Sequence, residues 1–360
     1  MRIVFVSRAT LFSNPGGDTI QVSQTAQHLE ALGVEVDIKL TNEAIEYYKY
    51  DLIHFFNIIR PADILHHTKK TGKPYVVSTI FVDYSAFERE NTTGVRNALS
   101  RVLSADLLEY FKVLARSVWN KERIGSKYYL FRGHRASVKK VISNAEMLLP
   151  NSESEYNRLK NHFGVEAPYR VVPNGIDQAI FANAKMPRNE INKVLCVARI
   201  EPLKNQLNLI KAVKNTNFLL RIVGKASVNH QQYFEECKSV AGANVEFIDY
   251  IPYRDLLKFY NEAKVHVLPS WFETTGLSSL EAAASGCNIV ITDKGDTREY
   301  FGEFAYYCDP ASPESILNAI TLASNQPVNP GFADYVINHY TWEIAAGKTR
   351  NAYNHVLSKR

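Results

Sequence analysis

The sequence has few cysteines and lacks the long apolar runs of membrane proteins. Only four cysteines occur among 360 residues, and none lies at a spacing typical of metal ligands. We therefore expect buried free thiols and a reducing, cytoplasmic environment. No run of roughly 18 apolar residues occurs, so no membrane-spanning helix is predicted. The apolar core of "MRIVFVSRAT" is too short for a signal peptide and predicts a first strand.

Several other signatures are also missing. No G-x-G-x-x-G pattern occurs, which counts against a nicotinamide or flavin dehydrogenase. Internal repeats, low-complexity segments and recognised nucleic-acid-binding motifs are absent, so nucleic acid is not expected as a partner.

The composition and pattern that remain predict a globular α/β protein. Hydrophobic residues make up 46% and charged residues 22%, which is enough for packed cores, and the length suggests two domains. Apolar strand-like runs such as "RIVFVS", "DLIHFF", "KVLCVARI" and "KVHVLPS" alternate with amphipathic helical runs. This alternation predicts two doubly wound parallel sheets with a boundary near "VVPNGIDQAIF". Ligands of such sheets bind at the carboxyl ends of strands.

A pair of glycines follows the first predicted strand. Gly16 and Gly17 precede a helix, where backbone N–H groups and a positive helix end suit a phosphate. The alternative is an ordinary turn, which "PGG" forms more often.

Two cations follow the first strand of the second half. Arg199 and Lys204 flank a short loop before a helix, a position that suits a diphosphate. The alternative is a pair of exposed basic residues without a ligand.

Two carboxylates flank a strand-to-helix turn in "SWFETTGLSSLEAAASG". Glu273 follows a strand, and Gly276 and Leu277 begin the helix with N–H groups that suit an anion. Glu281 lies about one turn inside the helix. Its alternative role is a capping box, since Ser278 stands three residues before it.

Together these residues resemble the retaining glycosyltransferases of family 4, which have the GT-B fold, including members from bacterial polysaccharide synthesis. The likeness covers nearly the whole chain and is carried by Gly16–Gly17, "PNG" at 173–175, the pair Arg199 and Lys204, and the pair Glu273 and Glu281 with seven residues between them.

The resemblance implies two Rossmann-like domains that face each other across a cleft. It predicts an acceptor-binding domain over 1–177, a nucleotide-sugar-binding domain over 178–338, and a C-terminal helix over 339–360 that crosses back to the first domain.

The resemblance also implies roles for individual residues. Arg199 and Lys204 would bind the donor diphosphate, Glu273 the sugar hydroxyls and Glu281 the ribose. The other implied donor-binding residues are Gly16, Gly17, Gly224, Tyr250, Ile251, Thr275, Gly276 and Leu277.

The implied activity is transfer of a sugar, with retention, from a nucleoside-diphosphate-sugar to an acceptor hydroxyl of a glycan or a lipid-linked glycan. No Asp-x-Asp occurs, so we expect no metal and no cofactor. A GT-B epimerase, a phosphorylase and a non-catalytic binding module are the alternatives.

One position departs from the family pattern. Many members carry a histidine where this chain has Phe81, in "STIFVDYSAF". His54, Asn57 and Asp83 are therefore the candidates on the acceptor side. His54 has an alternative role as a structural histidine at the end of a strand.

The basic residues are unevenly placed. Residues 95–141 contain eleven Lys or Arg against three Asp or Glu, although the whole chain carries only +5, and aromatic residues are interleaved. This pattern predicts a surface for an anionic membrane, so that the protein is cytoplasmic and peripheral on the inner face. The alternative is a solvated helical face.

Overall fold

The structure is a computed structural model that describes residues 1–82, Leu107, Tyr110, 125–181 and 192–359. The chain divides into two compact units. The first contains Met1–Asn174 and Trp342–Arg360, and the second contains Gly175–Thr341.

Each unit is built on one parallel sheet. The strand order is β2-β1-β3-β4-β5 in the first unit and β11-β10-β9-β6-β7-β8 in the second. The order reverses between β1 and β3 and between β6 and β9, the positions where doubly wound sheets bind ligands. The strands are β1 (Arg2–Ser7), β2 (Glu35–Leu40), β3 (Leu52–Phe56), β4 (Tyr75–Ser78), β5 (Met147–Leu149), β6 (Lys193–Val197), β7 (Leu219–Val223), β8 (Val245–Ile248), β9 (Val265–Leu268), β10 (Asn288–Thr292) and β11 (Tyr306–Cys308).

Helices connect the strands, as parallel pairing requires. They are α1 (Gly17–Ala31), α2 (Pro61–Thr68), α3 (Lys127–Asn144), α4 (Glu153–Phe163), α5 (Gln178–Phe181), α6 (Gln206–Val213), α7 (Gln231–Val240), α8 (Leu256–Glu262), α9 (Leu277–Ala284), α10 (Thr297–Phe301), α11 (Pro313–Asn325), α12 (Pro330–His339) and α13 (Trp342–Leu357). Helix α13 packs against α1 in the first unit. Helix α3 is kinked at Gly133, which has φ 75°.

The central strands β3, β4, β9 and β10 are buried along their whole length, so their apolar runs form the cores. The predicted α/β class with two Rossmann-like sheets is confirmed. Strand β11 was not predicted from the sequence, because its three residues at a sheet edge carry little pattern. Among the described helices, none combines the length and the apolar character needed to span a membrane. All four cysteines are buried free thiols, as expected.

Candidate functional site

The loops after β6 and β9 lie side by side, because these two strands pair in the sheet of the second unit. Asn205 joins the loops. Its Nδ2 donates to the carbonyl oxygens of Pro269 at 3.0 Å and Pro310 at 2.7 Å. The Trp271 N–H also donates to the Leu203 carbonyl at 2.9 Å. Asn205 adopts the left-handed conformation with φ 59°, which asparagine tolerates better than most residues. The carboxyl ends of β6, β9 and β11 are thereby held together.

This arrangement brings Lys204 and Glu273 into contact. The distance between Lys204 Nζ and Glu273 Oε1 is 2.5 Å, and Ser270 Oγ donates to the same carboxylate oxygen at 2.6 Å. Glu273 is buried. Arg199 lies in the same loop as Lys204, and its Nη2 donates to Glu201 Oε1 at 3.0 Å. The three residues that the sequence predicts as catalytic therefore all follow the carboxyl ends of neighbouring strands, β6 and β9.

The turn after β9 leads directly into α9. Gly276 is the N-cap residue and has φ 68°, a conformation that favours glycine. Gly276 and Leu277 stand at the N-terminus of α9, where backbone N–H groups suit an anion. Thr275 is buried beside it. The predicted donor-binding residues Thr275, Gly276 and Leu277 thus lie at the carboxyl end of β9.

Glu281 does not act as a capping residue. Helix α9 begins at Leu277 with Gly276 as its N-cap and has no side-chain cap, so the capping-box alternative is wrong. The Glu281 carboxylate instead accepts a hydrogen bond from Tyr260 Oη at 2.8 Å. Burial raises the pKa of Glu281 to about 7, although the hydrogen bond from Tyr260 favours the charged form. The side chain is a buried acid with a neutral partner.

The remaining predicted donor-binding residues of the second unit follow β7 and β8. Gly224 follows β7 with φ 150°, and a Cβ atom there would lie 2.0 Å from the Ala198 carbonyl oxygen. Only glycine permits this approach to the loop that carries Arg199. Tyr250, 71% exposed, and the partly buried Ile251 follow β8. The predicted residues therefore follow the carboxyl ends of four neighbouring strands, from β9 through β6 and β7 to β8.

Several supporting residues escaped the sequence analysis. Gly295 has φ 97°, and a Cβ atom there would lie 2.0 Å from the Glu273 carbonyl oxygen. The Glu273 backbone pairs with this segment through Lys294 O at 3.2 Å and the Asp296 N–H at 2.9 Å. A glycine shortly after the predicted strand "NIVIT" is a signal that could have indicated Gly295. Ser270 and Glu201 gave no comparable signal.

In the first unit, Gly16 and Gly17 stand at the N-terminus of α1. Gly16 is the N-cap residue, and its N–H donates to Thr19 Oγ1 at 3.0 Å. Arg8, which the sequence analysis did not single out, holds the preceding loop. It donates to both oxygens of Asp18, at 2.6 and 3.0 Å, and to the Asn14 carbonyl at 2.8 Å. The turn therefore has a fixed backbone.

The acceptor-side candidates are placed differently from one another. His54 is buried within β3, where Nδ1 contacts Tyr353 Oη at 2.6 Å and Nε2 contacts Ser78 Oγ at 2.9 Å. Burial lowers its pKa to about 3, so it is neutral. This geometry favours the structural alternative for His54. Asn57 follows β3 with φ 74°, and its side chain accepts from the Ile59 N–H at 3.2 Å. Asp83 lies outside the described residues.

Phe81 stands where the resemblance to family 4 leads us to expect a histidine. Its ring is buried, and its centroid lies 5.6 Å from those of His162 and Phe163. Phe81 therefore packs into the core of the first unit.

A cavity of about 300 Å³ lies near the amino ends of β6 and β7, at the opposite end of the strands from the predicted residues. Its lining includes Arg221, which is paired with Glu246 at 2.9 Å and Glu262 at 2.5 Å. None of the predicted site residues that the structure describes lines it. We place the candidate site at the carboxyl edge, because the groups that suit a diphosphate converge there.

Comparison with known proteins finds similarity to glycosyltransferases. Residues 178–338 match the family described as "Glycosyl transferases group 1". The D-inositol 3-phosphate glycosyltransferase of Acidothermus cellulolyticus is 29% identical over 248 residues, which cover 61% of this chain and 55% of that protein. The glycogen synthase of Mycobacterium tuberculosis is 24% identical over 227 residues, which cover 59% of this chain and 55% of that protein. The chain thus spans little more than half the length of these relatives.

Solved structures resemble the whole chain. Sucrose-phosphate synthase from Thermosynechococcus elongatus has a TM-score of 0.76 at 17% identity and covers all of both chains. HepE of Anabaena, in complex with UDP and glucose, has a TM-score of 0.71 at 14% identity over 98% of this chain and 99% of that chain. The chain therefore has the GT-B fold, and its residues 178–338 are similar to the group 1 glycosyl transferases.

Proposed function

We propose that the protein is a glycosyltransferase that moves a sugar from a nucleoside-diphosphate-sugar to an acceptor hydroxyl. The observation that carries this proposal is the contact of Lys204 with Glu273 beside Arg199, at the carboxyl edge of the matched domain. Structures of HepE contain UDP, glucose or UDP-glucose, which supports a nucleotide-sugar as the donor here.

The chemistry of transfer requires stabilisation of a leaving diphosphate. Negative charge grows on the β-phosphate as its bond to the sugar breaks. Arg199, Lys204 and the N–H groups at Gly276 and Leu277 are the donors that stabilise this charge, and such preorganised donors are usually the largest catalytic term. In the first unit, Gly17 begins helix α1, and the N-terminus of a helix suits a phosphate.

The carboxylates and the edge residues would bind the rest of the donor. Glu273 accepts hydrogen bonds from sugar hydroxyls, and Glu281 accepts them from the ribose. Gly224, Tyr250 and Ile251, which follow β7 and β8, are the residues that we propose for contact with the base. Retention and membership of family 4 rest on the sequence resemblance alone.

We also propose that catalysis needs no metal, since Arg199 and Lys204 supply the positive charge that a diphosphate requires. Activity should survive excess EDTA. Complete loss of activity, restored by Mg²⁺ or Mn²⁺, would contradict the proposal.

The acceptor is proposed to be a polysaccharide or a lipid-linked glycan, reached by a cytoplasmic protein that binds peripherally to an anionic membrane. Within the described part of residues 95–141, Leu130 and Phe131 are exposed, Phe131 to 85%. Arg132 and Lys140 are exposed on the same helix, α3. Apolar rings beside cations suit an anionic membrane surface.

The test is a panel of nucleoside diphosphates and their sugars, measured first by thermal shift and then by turnover. A ligand at a hundredfold excess over its Kd should stabilise the protein by about 2.7 kcal/mol. We expect the protein to prefer one base, and uracil, the base of UDP, is the first candidate. The diphosphate should be released only when an acceptor is present.

Other outcomes would assign a different function. Formation of a sugar phosphate would indicate a phosphorylase, and an epimerised sugar would indicate an epimerase. Binding without turnover across a broad acceptor panel would indicate a non-catalytic module, and no binding at all would overturn the proposal.

A further inference from the structure

Both cations of the candidate site are already paired with carboxylates. Arg199 contacts Glu201, and Lys204 contacts Glu273, at 3.0 and 2.5 Å. Both acids are almost buried, with 8% and 7% of their side chains exposed. The four charges sum to zero, so a diphosphate that binds here must either share the cations with the acids or displace them.

Glu201 depends on Arg199 for its hydrogen bond. Among the described residues, Arg199 is the only group within hydrogen-bond distance of the Glu201 carboxylate, and His230 Nδ1 lies 3.9 Å away. Loss of Arg199 would leave a nearly buried carboxylate without a hydrogen bond, which costs several kcal/mol. The Arg199 carbonyl also accepts from Gln206 Nε2 at 2.8 Å. Arg199 is therefore fixed at its backbone and at its guanidinium group.

The pair of Glu273 with Lys204 is different. Ser270 Oγ also donates to Glu273 Oε1, at 2.6 Å. If Lys204 turns away, the carboxylate keeps this hydrogen bond, so separation of this pair costs less. Glu273 is also anchored through its backbone to Lys294 and Asp296. It would stay in place after Lys204 is released.

We propose that the two acids have opposite effects on the donor. Glu201 is a positioning residue that holds Arg199 in the orientation that meets the diphosphate. Glu273 is an exchangeable partner of Lys204. The diphosphate displaces it from Lys204, and the freed carboxylate oxygen then accepts a hydroxyl of the sugar. This inference rests on the proposed function. It adds that donor binding separates Lys204 from Glu273 but leaves Arg199 paired with Glu201.

The test compares two substitutions that each remove one negative charge from the same site. UDP binding is measured by calorimetry, with GDP and ADP in parallel, on wild type, Glu201→Gln and Glu273→Gln. Glu273→Gln removes a competitor for Lys204 and should lower the Kd of the diphosphate by about fivefold. Glu201→Gln loosens Arg199 and should raise the Kd by about tenfold.

The two variants are expected to change the Kd in opposite directions. A general loss of negative charge would instead tighten binding in both variants. Tighter binding in both variants would overturn the role of Glu201, and weaker binding in both would overturn the exchange at Glu273. A wild type that binds none of the three diphosphates would overturn the proposed function itself.

A double variant tests the Glu201 pathway if Glu201→Gln is unstable. Arg199→Ala combined with Glu201→Ala removes both partners and leaves no unpaired charge, so it should fold. It should bind UDP as weakly as Arg199→Ala alone, since Glu201 acts through Arg199. Additive losses would show that Glu201 acts independently.

Discussion

Single residues in the second unit combine burial with charge, and Glu281 shows the consequence most clearly. Its carboxyl group is enclosed and has a neutral hydrogen-bond partner in Tyr260. Burial raises its pKa to about 7, above the ordinary 4.5. A raised folded-state pKa favours the protonated form, so this group contributes stability below about pH 4.5 and loses it as the pH rises through 7.

We therefore expect Glu281→Gln to flatten the pH dependence of stability. The wild type should lose up to roughly 3 kcal/mol of its free energy of unfolding between pH 4.5 and 8 through this group, and the variant should not. Urea unfolding at pH 5, 6, 7 and 8 measures the difference. The matched control is Glu303→Gln, since Glu303 is exposed. Parallel pH profiles for the wild type and Glu281→Gln would show that burial does not control this carboxyl group.

Substitution of Glu281 should also weaken nucleotide binding. If the ribose donates hydrogen bonds to the Glu281 carboxylate, the Gln variant should bind UDP more weakly by about 1–3 kcal/mol at pH 8. The loss should shrink at pH 6, where most of the wild-type carboxyl groups are protonated. Calorimetric titration at both pH values checks this, and unchanged affinity at pH 8 would remove Glu281 from the donor site.

The two cations should act on turnover. Arg199→Ala or Lys204→Ala should lower kcat by roughly 100-fold, the scale for loss of one donor to a developing oxyanion. Steady-state kinetics at saturating donor measures the effect. Lys238→Ala is the matched control, because Lys238 lies on α7, where it pairs with Glu235. Near-normal kcat for either test variant would exclude that residue from the mechanism.

At the scale of elements, buried side chains fix the backbone where strands end. In the first unit, the Glu155 carboxylate accepts from Thr79 Oγ1, from the Phe81 N–H at 2.8 Å and from the Asn151 N–H at 2.9 Å. Thr79 and Phe81 flank Ile80, which has φ 46°, a conformation that β-branched residues rarely adopt. One carboxylate on α4 thus joins the segments after β4 and β5.

Removal of this carboxylate should be costly. Glu155→Ala leaves three donors without their partner and should destabilise the protein by roughly 3–5 kcal/mol, whereas Glu155→Gln retains one acceptor and should lose less. Urea unfolding and calorimetric melting measure the effect. Glu153→Ala, in the same turn of α4 but exposed, should cost under about 1 kcal/mol. A similar small cost for Glu155→Ala would show that the segment holds itself in place.

At the scale of the whole molecule, the excess of positive charge is concentrated in residues 95–141. Helix α3 is the main part of this region that the structure describes. The helix buries Val138, Val141 and Ile142 and exposes cations on its other side. Arg135 is not a free surface charge, because its Nη2 donates to the His162 carbonyl at 2.5 Å. Arg132 and Lys140 are the better probes of a membrane surface.

We expect the protein to cosediment with vesicles that contain anionic lipid at low salt, and high salt should weaken the binding. Arg132→Glu combined with Lys140→Glu should abolish it, because each cation near an anionic surface contributes about 1 kcal/mol. The control is Lys211→Glu with Lys214→Glu, which makes the same change in net charge on exposed residues of the second unit. Equal binding by both double variants, or no binding by the wild type at low salt, would favour a solvated helical face.

The sequence by itself determined the class of the fold and the residue types of the site. Strand and helix patterns depend on neighbours in the chain, so the alternation around "RIVFVS" and "KVLCVARI" was sufficient to predict two parallel sheets. The positions of Arg199, Lys204 and Glu273 after strands also predicted which edge of the sheet they occupy. Short elements such as β11 carry too few residues for this reasoning.

Only the tertiary structure decided which of these groups meet. Lys204 and Glu273 are 69 residues apart, and His54 and Tyr353 are 299 residues apart. Their contacts depend on strand order and helix packing, which local patterns do not encode. The capping-box alternative for Glu281 failed for the same reason: its partner Tyr260 lies on another helix. Hydrogen bonds and close approaches of this kind arise where distant segments pack, and they set the charge and orientation of the site.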